Sequence, residues 1–241
     1  MTMLDFAGTV AITAIMVIVI NAAIGAIALP RVQKLWLVSA VGLWIGLAAG
    51  AAGMGWLQLA EPVPVIGLFF AAPLVGAMIA AWLSPSLRDA ALAMPAGLLI
   101  GLHTPRILGI FFLLLAEQGR LSGPFPGYAG WGDIATGLSA IPVALLLAWR
   151  PVSGRAIAVG WNVFGAADLL LAVSLGVTSA VGSPLQIFDA APGSAAMQVL
   201  PWSFVPTVLV PYFLILHGII GVQLYRTGKA VRSDPRAFQR V

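Results

Sequence analysis

The sequence predicts an all-α membrane protein: a bundle of seven transmembrane helices, N-terminus outside and C-terminus in the cytoplasm. Three observations predict it. Of the 241 residues, 61% are hydrophobic and only 8% are charged, where a soluble domain carries about 25% charged residues. Apolar runs long enough to cross a bilayer recur along the whole length. Lys and Arg gather in alternate connections between those runs, which is the positive-inside pattern.

In chain order, span 1 is expected over about Phe6–Leu29, stopped by Pro30. Span 2 follows over about Leu35–Leu59, and span 3 over about Pro64–Leu83. Span 3 ends at Ser84-Pro85, because proline pushes the residue before it out of helical geometry. Span 4 runs from Ala90 to about Glu117. Spans 5, 6 and 7 cover about Trp131–Trp149, Arg155–Thr178 and Trp202–Tyr225. Residues 1–225 thus read as one membrane domain, and residues 226–241 as a basic cytoplasmic tail.

The charges decide the number of spans. Arg31 and Lys34 follow span 1, Arg88 follows span 3, and Arg150 and Arg155 flank the turn between spans 5 and 6. Arg226, Lys229, Arg232, Arg236 and Arg240 follow span 7. With seven spans all of these share one side. Only Arg120 falls on the other, and Arg106 lies inside span 4. Six or eight spans would scatter them.

The absence of cysteine excludes disulfides, thiolate metal sites and cysteine nucleophiles. The net charge of +4 comes from the connections and the tail, so it is no nucleic-acid footprint. The first residues hold no Lys or Arg, and the first apolar run is too long for an h-region, so no cleaved signal peptide is expected.

Trp36, Trp82, Trp131, Trp149 and Trp202 sit near span ends, as an aromatic belt would. Trp44 and Trp161 lie deeper. Gly42, Gly46 and Gly50 form a stripe at four-residue spacing on span 2. It suits close helix packing inside the chain or a homo-oligomer contact. Gly97 and Gly101 repeat the spacing on span 4. The outer connections Gln118–Gly130 and Ser179–Pro201 are apolar enough to lie over the bundle mouth as lids. Within the second, Ser194 is placed to cap a short turn through Leu200.

Function is sought among the polar residues inside the membrane. An ionisable group at that depth costs roughly 2.5–3.5 kcal/mol on insertion scales, so such residues are functional candidates by default. Spans 1–3 hold little beyond Asn21 and Gln58. Spans 4–7 hold His103, Arg106, Asp133, Asn162, Asp168 and His217. The first half therefore reads as scaffold and the second as site. His103 and Asp168 come out at about the same depth, about 20 Å from the cytoplasmic end. His217 comes out at about 12 Å and Asn162 at about 10 Å. His103 and Arg106, three apart, share a face. Arg106 is expected to pair with Asp168, or to reach outward to Asp133 at the mouth of span 5. Pro105, Pro206 and Pro211 bend spans 4 and 7 and leave carbonyls unpaired.

Several readings follow. The first is small-ligand or proton-coupled transport or binding at a midplane site on broken helices. There Arg106 holds an anionic group or its counter-ion Asp168, His103 handles a proton, and His217 and Asn162 line the inner half. The second is a b-type haem protein for electron transfer or sensing, with His103 and His217 as axial ligands, across a depth mismatch of about 8 Å. A structural or assembly role is the third. Gly130-Trp131-Gly132-Asp133 reads GxGD, as in intramembrane aspartyl proteases. Its partner carboxylate would be Asp168, about 12 Å away in depth, and Asp168 follows the motif where those families place it before. A retinal protein needs a lysine in mid-membrane, and Lys34 and Lys229 both lie outside the spans. No catalytic constellation stands out, which favours a protein that is not an enzyme.

Arg106-Ile107-Leu108-Gly109, Gly119-Arg120-Leu121-Ser122 and Ala129-Gly130-Trp131-Gly132-Asp133 together resemble an uncharacterised family of bacterial polytopic integral membrane proteins. So do Trp161-Asn162 with Asp168-Leu169, and Val205-Pro206 with Val210-Pro211 leading to His217. The resemblance covers spans 4–7. It implies a bacterial inner membrane and one constellation made of these polar residues, and it brings no function with it.

Overall fold

A computed structural model describes residues 2–59 and 63–233, with side chains as far as residue 229. Seven helical stretches are long and apolar enough to cross a membrane. The first is α1, Met3–Ala26, whose Thr2 and Asp5 form a capping box. It begins earlier than expected because that box supplies the first free N–H groups with acceptors. Then come α2, Arg31–Gly53, and α3, Val65–Leu83. Arg236 and Arg240 of the expected tail lie outside the described residues.

Span 4 differs most from expectation. It does not begin at Ala90. Residues 90–92 finish a separate short helix, α4, Pro85–Leu92, capped by Ser84 and carrying the exposed pair Arg88–Asp89. Pro95 cannot continue a helix that arrives from Ala91, so the chain breaks and restarts. The span is then assembled from α5, Ala96–Gly101, a 3-10 segment, Thr104–Gly109, and α6, Ile110–Glu117. Gln223 satisfies the break by donating to the carbonyls of Leu92 and Met94, at 3.0 and 2.8 Å.

The rest of the bundle is α7, Phe125–Trp149, α8, Pro151–Thr178, and α9, Val210–Ser233. A π-helical turn, Val205–Leu209, precedes α9. Residues 226–233 continue α9 as helix. Pro211 has no N–H to offer the carbonyl of Thr207, four residues back. Trp44 Nε1 donates to that carbonyl instead, at 2.9 Å. The deep tryptophan of α2 thus closes the gap that the proline opens.

The core lies among α5–α9, with α1 laid against it. No residue of α3 is fully buried. The glycine stripe of α2 is not used inside the chain: a Cβ at Gly42 or Gly46 would meet nothing within 4 Å. Trp36, Trp82, Trp131 and Trp149 are exposed as a belt requires, but Trp202 is buried. Its Nε1 donates to Asp5 at 3.0 Å, and Arg120 joins the same carboxylate at 2.7 Å.

The connection before α7 and the one after α8 are tied together. Ser122 N–H donates to the Gly193 carbonyl at 3.0 Å, and Gly193 N–H donates to the Ser122 hydroxyl at 2.8 Å. The short turn after Ser194 exists as a 3-10 helix, Ala195–Gln198, but Ser194 does not cap it. Its hydroxyl donates back to the Gly176 carbonyl at 2.6 Å, fastening the connection to α8.

Candidate functional site

Arg106 is where four elements meet. The 3-10 segment carries it, and its side chain is 1% exposed. Nε donates to Asp133 Oδ1 on α7, and Nη2 to Asp168 Oδ2 on α8, each at 2.6 Å. Nη1 reaches the Gly165 carbonyl of α8 and His217 Nε2 of α9, both at 3.1 Å. His217 Nδ1 lies 2.8 Å from Asn162 Oδ1, and Asn162 Nδ2 donates to the His217 carbonyl at 3.2 Å. A guanidinium has donors only. His217 Nε2 is therefore an acceptor, and the ring carries its proton on Nδ1, where it donates to Asn162.

Arg106 was expected to pair with Asp168 or Asp133; it holds both. The depth argument that put Asp133 about 12 Å from Asp168 fails for a simple reason. The helix of span 5 starts at Phe125, not Trp131, so Asp133 lies about 12 Å inside it rather than at its mouth. The mismatch between His103 and His217 disappears likewise. The span under His103 starts at Ala96, and the two imidazole centroids are 4.1 Å apart.

Three expected chemistries do not fit this arrangement. Haem iron needs two imidazole nitrogens facing each other across a porphyrin. Here the rings lie against each other, and both nitrogens of His217 are engaged. An aspartyl dyad must share a proton between its carboxylates, whereas Asp133 and Asp168 each face the same guanidinium. An anionic ligand would be repelled by the two carboxylates that already flank Arg106, and of the five N–H donors of that side chain only one, on Nη2, is left over.

Close helix approach makes the cluster possible. A Cβ at Gly132 would fall inside the Asp168 carboxylate. One at Gly165 would lie 2.7 Å from His217 Cε1. These two glycines hold open the space for the side chains, and the polar residues alone did not point to them. The available signal was position: Gly132 precedes Asp133, and Gly165 is one turn before Asp168.

His103 stands apart. It is fully buried, and neither ring nitrogen has a hydrogen-bond partner among the described residues. Its surroundings are aromatic: His217, Phe213 at 5.1 Å and Trp161 at 5.2 Å between centroids.

Two cavities reach the cluster. One, of about 870 Å³ including its open mouth, lies between α3, α8 and the connection after α8. The other, of about 490 Å³, lies between α1, the 3-10 segment and α9. Asp133 lines both, and Arg106 lines the second. One guanidinium and two carboxylates leave a formal excess of one negative charge. The Asp133 oxygen not used by Arg106 has no hydrogen bond among the described residues.

A family model described as a domain of unknown function, DUF8737, matches residues 63–225. That is more than half of the chain, and it contains every residue of the network while leaving out α1 and α2. No curated protein and no solved structure matches the chain.

Proposed function

Because the chain belongs to the DUF8737 family, a domain of unknown function, its activity has to be read from the site, and we propose proton-coupled binding or transport of a small ligand. The reading includes a multi-pass protein of a bacterial inner membrane, N-terminus outside, on the strength of the Lys and Arg distribution. The large cavity then opens in the outer half.

One observation carries the proposal. A single buried guanidinium is shared by two carboxylates, each bound to it through one oxygen, and of the two it is Asp133 that faces both cavities. In low dielectric an uncompensated charge is expensive, so the cluster is complete only with one more positive charge. A proton supplies it when no ligand does. Arg106 fixes both carboxylates and does not itself hold the ligand. His217 and Asn162 orient Arg106 from the far side.

Infrared difference spectroscopy of the purified protein over pH tests this. A protonated-carboxyl band is expected to titrate, to shift in D2O, and to vanish in Asp133→Asn or Asp168→Asn. If no carboxyl band titrates over the range in which the fold persists, the proposal is wrong. Proteoliposomes with a trapped pH indicator then report whether adding candidate solutes moves protons in the wild type but not in Asp133→Asn.

A further inference from the structure

We propose that the larger cavity binds lipophilic cations, taking one up against the release of one proton from the Arg106–Asp133–Asp168 cluster. The inference rests on the proton-coupled reading above and names its substrate class.

The walls give the first half of the argument. Among the described residues, the cavity is lined by apolar side chains apart from Ser183, Ser194, Gln198 and one charged residue, Asp133. Three phenylalanines, Phe70, Phe112 and Phe125, contribute rings. Aromatic faces attract cations, more strongly where water is excluded. Among the described residues no lysine or arginine lines this space, so none of them favours an anion there.

The charge count gives the second half. The free oxygen of Asp133 accepts either a proton or a positive head group, and either one balances the cluster. The two therefore compete. Among the described residues, the charged groups beside Asp133 are Arg106 and, across it, Asp168 from α8; His217 from α9 touches the far side of Arg106, and His103 lies against His217. On α1, Asp5 is occupied elsewhere by Arg120 and Trp202. Exchange conserves charge: one monovalent cation enters and one proton leaves.

The mouth gives the route. Leu59 and Val181 line the cavity and are about half exposed, at 54% and 52%. An apolar rim between α3 and α8 admits a ligand that arrives dissolved in lipid. Its apolar body matches the apolar walls in chemistry, and its charge is drawn to Asp133.

The test uses the full chain in detergent and tetraphenylphosphonium as probe, followed by calorimetry, with triphenylphosphine oxide as an uncharged relative. The phosphonium is expected to bind the wild type and to release protons into a weakly buffered indicator. Its Kd should rise about tenfold for each unit by which the pH is lowered, in the range where one proton competes. Asp133→Asn should abolish both the binding and the proton release. Ala172→Phe, which fills the cavity without touching the cluster, should abolish the binding while leaving the infrared carboxyl titration intact. The inference is overturned if Asp133→Asn binds the cation like wild type, or if the phosphine oxide binds as tightly as the phosphonium. It also falls if binding releases no protons. Absence of phosphonium binding alongside an intact carboxyl titration removes the substrate class and leaves the proton reading standing. Loss of the titration removes both.

Discussion

Removing Arg106 and removing one of its carboxylates should have very unequal consequences. Arg106→Leu leaves two buried carboxylates without a counter-ion and strips His217 Nε2 and the Gly165 carbonyl of a donor. Deleting one partner of a buried ion pair typically costs about 3–5 kcal/mol. With two carboxylates stranded, the cost should reach at least the upper end of that range. Asp168→Asn is different. The amide oxygen keeps the shape and still accepts from Nη2, while Arg106 and Asp133 remain as a neutral pair. Its cost should be about 0.5–1.5 kcal/mol, that of an ordinary hydrogen bond. The gap of at least about 3.5 kcal/mol is a factor of about 400 in the folding equilibrium. Unfolding in mixed micelles by SDS titration, followed by far-UV circular dichroism, measures it. The combination Arg106→Leu, Asp133→Leu, Asp168→Leu should recover most of the loss, since apolar replacement of a buried charge group is often neutral or stabilising. If Asp168→Asn destabilises as much as Arg106→Leu, the cluster has no surplus of negative charge and the reasoning is wrong.

Other outcomes follow from single contacts. His103→Phe should keep the aromatic packing and relieve two unpartnered nitrogens, raising stability by about 1–3 kcal/mol; the same SDS titration reads it, and a loss would mean that the imidazole has a polar partner. Gly165→Ala should destabilise by about 1–3 kcal/mol through overpacking against His217, and should reduce the Arg106 network more than Gly42→Ala, which meets nothing. Trp44→Phe should cost about 1 kcal/mol for the lost bond to Thr207, seen in the same assay. Arg120→Gln should weaken the tie to Asp5 by less than about 1 kcal/mol, because the pair is partly exposed, and added salt should shrink the difference.

The seven spans were legible because length and hydropathy need no tertiary information, and the gathering of His103, Arg106, Asp133, Asn162, Asp168 and His217 followed from the cost of isolating any of them in lipid. Depth was misjudged wherever a helix boundary was. Moving the start of span 5 from Trp131 to Phe125 turns Asp133 from a mouth residue into a partner of Arg106. Moving the start of span 4 from Ala90 to Ala96 brings His103 level with His217. Pro95 was in view, but proline inside a span predicts a kink as readily as a break, and Gln223, which caps the broken end, is far away in sequence. The roles of Gly132 and Gly165 were hidden for another reason: a glycine's contribution here is the room it leaves, and only the neighbouring backbone shows who fills it.

The bond from Trp44 to the Thr207 carbonyl has an effect beyond its own helix. The turn it steadies carries Val205, and Val210 follows directly; both side chains face the two chambers beside Asp133. The indole belongs to α2, a segment outside the stretch shared with the family. The contour of the interior is thus partly set by a latch lent from the periphery, and unfastening that latch reshapes the chamber wall without altering any residue that lines it.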